Sequence, residues 1–252
     1  MSTSVEPTPR AKPGLKSAAQ RSDNRSDISA ALAGKVAGHE WPRYIVVEGP
    51  IGVGKTTLAN KLADTLAYPR LLEPVEDNPF LHRFYRQGRR FALPTQLYFL
   101  LHRAAQVAQL PENDLVGPLL VADFLIEKDR LFAEATLDEN EFELYEQIHD
   151  NLALHPPKPD LVIYLQAPVG VLMDRIRSRG IDFEQNIESH YLENLANAYT
   201  RFFHFYDDAP LLVVNATEID FAHNSGHFEA LLDQILAMDG TRQYFNPHPT
   251  LL

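Results

Sequence analysis

Residues 44–66 read Tyr-Ile-Val-Val-Glu-Gly-Pro-Ile-Gly-Val-Gly-Lys-Thr-Thr-Leu-Ala-Asn-Lys-Leu-Ala-Asp-Thr-Leu, and the division of this stretch decides the fold. Residues 44–47 are a compact apolar run of β type. Gly49-Pro50-Ile51-Gly52-Val53-Gly54-Lys55-Thr56 then matches G-x-x-x-x-G-K-[ST], Thr57 follows, and a helical pattern leaves through Leu66. In that context the glycines let successive backbone N–H groups face inward, as a nest for phosphate oxygens at a helix N-terminus. Lys55 adds positive charge between the β- and γ-phosphates, and the Thr56 hydroxyl suits Mg²⁺. Residues Gly49 to Thr57 are therefore the expected cradle for ATP. The loop specifies a triphosphate and leaves the acceptor open.

Outward from this stretch, short apolar runs alternate with longer helical ones. Strands are expected over 44–47, 70–72, 119–122, 161–165 and 211–214, and helices over 58–66, 80–85, 94–110, 138–154, 168–179, 187–207 and 227–238. Strands apolar on both faces and separated by helices indicate an α/β protein, with a five-stranded parallel sheet covered on both sides. Residues 1–40 differ in character, being rich in Pro, Ser and charge with few bulky aliphatics, and predict a disordered extension with at most a short helix near 28–36. Residues 241–252 show little periodicity and predict an irregular surface segment.

The chain has 252 residues, 45% of them apolar, enough for a sizeable core in one domain. Lys plus Arg number 23 and Asp plus Glu 34, for a formal charge of -11 with His neutral. That balance argues against a protein gripping nucleic acid through a broad phosphate footprint, although a local pocket can still be basic. With no cysteine, disulfides, Cys-ligated zinc and thiolate catalysis are excluded. No apolar run approaches the ~18 residues of a membrane span, and the start shows no hydrophobic leader, so a cytoplasmic protein without a membrane partner is expected.

Glu73-Pro74-Val75, Asn78-Pro79-Phe80-Leu81, Phe84-Tyr85, Gln96-Leu97-Tyr98-Phe99-Leu100 with Arg103, and Leu131-Phe132-Ala133 together resemble the deoxynucleoside kinase family. Residues 159–165, Arg175-Ile176, Arg179-Gly180, Glu184, Tyr191-Leu192 and Asp220-Phe221 extend the resemblance from Tyr44 to about Met238. It implies a P-loop kinase fold with an Arg-rich lid, a kinase domain over 41–240 and transfer of the ATP γ-phosphoryl to a deoxynucleoside 5′-hydroxyl. Such an acceptor is a poor acid, so a carboxylate beside it is required. Glu73, at a strand's C-terminal end, is that base by resemblance. Gln96 reads the base, and Arg103, seven residues on and on the same helix face, lies near base and catalytic centre. Tyr85 and Glu184 reach the sugar 3′-hydroxyl. Phe84, Phe99 and Phe124 are candidate apolar walls.

Asp123 follows the third strand, a fitting place for a carboxylate that holds Mg²⁺ directly or through water. The family commonly has Arg after that acid; here Phe124 stands there, and Lys128, Arg130 and Arg103 are the candidates to supply its charge. Arg175 and Arg179 match the family's lid arginines, while Ile181 occupies a position where a third is common and Arg177 is a partial substitute. Positive charge there strengthens on the phosphates as transfer proceeds. The loop over 215–221 is expected over the adenine, and the aromatic run Tyr199, Phe202, Phe203, Phe205 and Tyr206 in the core. A homodimer is expected by resemblance. Two alternatives stay open: a nucleoside monophosphate kinase of thymidylate kinase type, and a catalytically weak regulatory nucleotide-binding protein.

Overall fold

The computed structural model describes residue 34 and residues 36–110 and 117–247. The extension expected over 1–40 and its short helix lie outside the described residues up to residue 33. All elements belong to one unit, His39–Leu252.

Six parallel strands form one sheet: β1 (Tyr44–Glu48), β2 (Arg70–Leu71), β3 (Leu120–Ala122), β4 (Leu161–Gln166), β5 (Leu211–Asn215) and β6 (Arg242–Phe245), in the order β2-β3-β1-β4-β5-β6. The helices are α1 (Lys55–Leu66), α2 (Leu81–Gln87), α3 (Ala92–Val107), α4 (Lys128–Thr136), α5 (Glu139–Leu152), α6 (Val169–Arg179), α7 (Ser189–Phe205) and α8 (Ser225–Leu236). β1 lies between β3 and β4, with Val46 opposite both Ala122 and Val162. After β1 the chain departs toward β2 on one side, and after β4 toward β5 on the other. The crevice for a ligand therefore opens at the carboxyl ends of these two neighbours.

Residues of alternate parity on the strands point to opposite faces. Tyr44, Val46, Val162, Tyr164 and Val213 pack against Leu131 of α4 and Leu195, Tyr199 and Phe203 of α7. The Tyr164 and Phe203 rings stack with centroids 4.2 Å apart. The aromatic run of α7 is thus mostly core, as expected, although Phe205 is 79% exposed. A second cluster, built from Leu81, Phe84, Leu100, Ala133 and Tyr145, joins α2, α3, α4 and α5. Helix α4 belongs to both clusters, through Leu131 to the one on the sheet and through Ala133 to this helical block.

Two expectations are corrected. The sheet has six strands because residues 242–245, expected to be irregular, pair with β5 in register from Leu211–Arg242 to Val214–Phe245. An edge strand needs one paired side and no apolar alternation. Here Arg242 anchors it by donating to the carbonyls of Phe203 (2.8 Å) and Tyr206 (2.6 Å). Helix α4 was not legible either. Its first two residues, Lys128 and Asp129, are buried charges, so the inward side of its first turn does not read as apolar although Arg130 and Glu134 face solvent.

Candidate active site

The loop between β1 and α1 is shaped by two close approaches. A Cβ on Gly49 would stand 2.3 Å from the Leu165 carbonyl oxygen of β4, and one on Gly52 would stand 2.9 Å from the Leu172 carbonyl oxygen of α6. Both residues also have positive φ, so glycine is required twice over. Lys55 opens α1, and its ammonium donates to the Gly49 and Pro50 carbonyls at 2.7 and 3.3 Å. Burial and then the charge of Lys128 lower its pKa to about 8, against the opposing pull of Glu48, Glu73 and Asp123.

From this loop a chain of hydrogen bonds runs to Glu73. The Thr56 hydroxyl donates to Asp123 Oδ2 at 2.5 Å, and the Glu73 backbone N–H donates to Asp123 Oδ1 at 2.8 Å. Asp123, 2% exposed, ties the nucleotide loop to the end of β2. The Thr56–Asp123 oxygens suit Mg²⁺, a hard ion that keeps several waters and takes few protein ligands. Among the described residues no group of three or more His, Asp or Glu side chains could hold a metal unaided.

The Glu73 carboxylate receives Arg103 on Oε1 and Lys128 on Oε2, the latter at 2.9 Å. Burial alone would raise its pKa; Arg103, Lys128 and Lys55 outweigh that and hold it at about 2. The three candidates for the missing arginine's charge are thereby separated. Arg130 is 64% exposed and paired with Glu146 at 2.6 Å, while Arg103 and Lys128 both converge on Glu73.

Helices α3 and α4 are cross-linked at two points, seven residues apart on each. Gln96 Nε2 donates to the Thr136 hydroxyl at 3.2 Å, and Arg103 is ion-paired with Asp129. Arg103 Nη1 meets Asp129 Oδ1, which leaves Asp129 Oδ2 and Arg103 Nε without a hydrogen-bond partner. A buried carboxylate in that condition demands a donor. Phe99 and Phe124 flank the Arg103 guanidinium at 5.1 and 5.7 Å, whereas Phe84 packs in the helical block against Tyr85 and Tyr191.

Tyr85 stacks on Phe183 of the segment after α6, with ring centroids 6.3 Å apart. Burial, then Tyr191 and Glu184, push its phenol pKa well up. Glu184 is 5% exposed and accepts from Arg179 at 2.5 Å. The other lid arginines do different work. Arg175 donates to the carbonyls of Val53, Ala216, Thr217 and Ile219, tying the nucleotide loop to the loop after β5. Arg177 is 64% exposed and 3.5 Å from Asp174.

Sequence reasoning missed two charged groups. Glu48 ends the apolar strand β1 with 0% exposure; it accepts from Gly49 N (3.0 Å), Tyr199 Oη (2.9 Å) and Leu125 N (2.8 Å). Asp129 is the other. A lone acid in Tyr-Ile-Val-Val-Glu was a signal for the first; nothing local marked the second.

Compared with known proteins, residues 45–238 match the family model described as deoxynucleoside kinase. A deoxyguanosine kinase from Bacillus subtilis is 37% identical over 193 residues, covering 75% of this chain and 93% of that relative. A deoxyadenosine kinase from Lactobacillus acidophilus is 30% identical, covering 77% of this chain and 94% of its own. Among solved structures, a deoxyadenosine kinase from M. mycoides with the products dCMP and a flexible dCDP bound aligns with a TM-score of 0.67 at 27% identity. It covers 77% of this chain and 98% of that one.

Replacing Arg175 with Ala removes one guanidinium from four carbonyls and loosens the tie between the loop after β1 and the loop after β5. Affinity for Mg·AMP-PNP, read by titration calorimetry, is expected to fall about tenfold, the equivalent of ~1.4 kcal/mol.

Proposed function

The chain belongs to the deoxynucleoside kinase family, and on that premise we propose that it transfers the γ-phosphoryl group of ATP to the 5′-hydroxyl of a deoxynucleoside. One observation carries the reading: a largely enclosed carboxylate, Glu73, with 11% of its side chain exposed, lies between the triphosphate loop and the Gln96–Arg103 face of α3, linked to the loop through Asp123. The acceptor oxygen attacks the γ-phosphorus as the bond from that phosphorus to the β-phosphate oxygen breaks, ADP leaves, and Glu73 takes the hydroxyl proton. A carboxylate with pKa about 2 is a weak base toward a free alcohol. Proton transfer therefore accompanies or follows bond formation, as a loose phosphoryl transition state allows. Mg²⁺, held by Thr56 and by Asp123 directly or through water, neutralises charge on the β- and γ-phosphates when bound. Lys55 binds the phosphates, Arg179 reaches them from the lid, and Tyr85 with Glu184 holds the sugar.

Gln96, Arg103 and Asp129 present amide, cationic and anionic edges to the nucleobase. Asp129 Oδ2, the oxygen that Arg103 does not engage, favours a base with an exocyclic amino group, which thymine lacks. The monophosphate kinase alternative needs a basic grip on the acceptor's phosphate, and the residues after Glu73 are instead the exposed acids Glu76 and Asp77.

A homodimer through α3 and α5 accompanies this reading. Leu101 on α3 and Leu144 on α5 are 51% and 45% exposed on adjacent helices of the second cluster, where an apolar pair seeks cover.

ADP release from Mg·ATP, measured with each deoxynucleoside and with dTMP, tests the function. Turnover of amino-bearing deoxynucleosides is expected, with kcat/KM for thymidine lower by roughly tenfold or more, the cost of an unpaired buried group. Turnover confined to dTMP would replace the reading by the monophosphate kinase. Glu73→Gln is expected to lower kcat by roughly 10²–10⁴-fold, the range for a positioned base, with Mg·AMP-PNP affinity kept; near-normal turnover would reject its role. Leu101→Glu combined with Leu144→Glu should convert a dimer to a monomer in light scattering, and a monomeric parent protein would reject the dimer.

A further inference from the structure

Lys128 is a buried cation for which the reaction as written has no use. Its side chain is 3% exposed at the first residue of α4, with Nζ 2.9 Å from Glu73 Oε2 and 3.9 Å from Glu48 Oε2. The rings of Phe124 and Phe132 lie 5.7 and 6.0 Å from the ammonium and restrict water there. Glu48 in turn is held by three donors from three elements: the loop at Gly49, the stretch before α4 at Leu125, and Tyr199 of α7. A carboxylate so fully engaged is a fixed negative charge, and it meets the ammonium only as an ion pair at 3.9 Å, whereas Glu73 accepts a hydrogen bond from it.

The position has a consequence for charge. Lys128 is near enough to Lys55 to disfavour its charged form, an arrangement that an anion between the two ammonium groups relieves. Glu73 is where the acceptor hydroxyl stands, and Lys55 is where the γ-phosphoryl begins its transfer. Lys128 lies beside the first and within electrostatic reach of the second. Arg103 does not compete for this place, because Glu73 and Asp129 already occupy its guanidinium on the acceptor side.

We propose that Glu48 and Lys128 form a fixed carboxylate–ammonium unit, in which Lys128 is a catalytic residue that stabilises the phosphoryl group in transit and Glu48 is the positioning residue that holds it there. This rests on Glu73 marking the acceptor site. The ammonium stands at the junction of attacking oxygen and moving phosphoryl. It favours the transition state over bound ATP because charge on the equatorial oxygens comes within its reach only as the group moves toward the acceptor. Fixing it beforehand through Glu48 avoids reorganisation during the step.

The test compares Lys128→Met, Lys128→Gln and Lys128→Arg with the parent enzyme on its best deoxynucleoside. Lys128→Met is expected to lower kcat roughly 10²-fold, the usual effect of removing one preorganised donor, with affinity for Mg·AMP-PNP within about threefold. Binding of Mg·ADP with aluminium fluoride and the deoxynucleoside, a mimic of the transferring group, should weaken by a factor similar to the kcat loss. Lys128→Arg should recover at least tenfold over Lys128→Gln at a comparable thermal midpoint, which guards against loss of folding in the Met variant. Glu48→Gln should lower kcat with little change in KM for either substrate. Three results would each overturn the proposal: a kcat for Lys128→Met within threefold of the parent, an equal loss of AMP-PNP and fluoroaluminate affinity, or no advantage of Arg over Gln. A parent enzyme that turns over no deoxynucleoside would instead overturn the acceptor reading.

Discussion

Glu73, with 11% of its side chain exposed, stays ionised because Arg103 reaches it from α3 and Lys128 from α4, and much of the molecule is arranged to keep those groups together. A buried carboxylate without such partners would be protonated or would destabilise the fold by several kcal/mol. With them its pKa falls to about 2. The same contacts fasten the end of β2, the long helix α3 and the start of α4 to a single point. Asp123 then fastens that point to the triphosphate loop through Thr56 and the Glu73 backbone. The loop after β1 and the segment after β2 are thus joined by a short run of charged and hydrogen-bonded groups.

The arginines divide into distinct tasks that their shared chemistry conceals. Arg175 donates to carbonyl oxygens and holds the loop after β1 to the loop after β5. Arg179 faces Glu184, Arg242 anchors an edge strand, Arg130 stays on the surface with Glu146, and Arg103 is enclosed between two acids. Carbonyls, solvent and carboxylates each suit a planar fork of donors. Position in the fold, not residue type, sets the role. The two cross-links between α3 and α4 follow the same logic: Gln96–Thr136 is neutral, Arg103–Asp129 is ionic, and apolar Leu100 and Ala133 lie in the same helical block.

What could be read from the sequence was whatever is encoded within one turn or one strand. The Gly49–Thr57 loop, the apolar strands and the amphipathic helices after them belong to this class, because backbone sterics and the periodicity of apolar residues act locally. Placement of Glu73 after a strand followed similarly, and motif resemblance brought Gln96, Arg103, Tyr85 and Glu184 together. Helix α4 escaped because its first turn carries charges inward, and β6 because Arg-Gln-Tyr-Phe has no strand-like alternation. Both depend on partners distant in the chain: Glu73 for Lys128, and the Phe203 and Tyr206 carbonyls for Arg242.

The sequence by itself determined that a triphosphate loop joins a strand to a helix in a parallel α/β protein, and that an acid follows the next strand. Those are local matters of φ, side-chain period and residue chemistry. Only the tertiary structure decided which cation meets that acid. Lys128, Arg130 and Arg103 are equally charged on paper. Coulomb interaction depends on distance and dielectric, and both are set by where the chain folds each group. One stands in solvent, one is enclosed between Glu73 and Asp129, and one lies buried between Glu48 and Glu73.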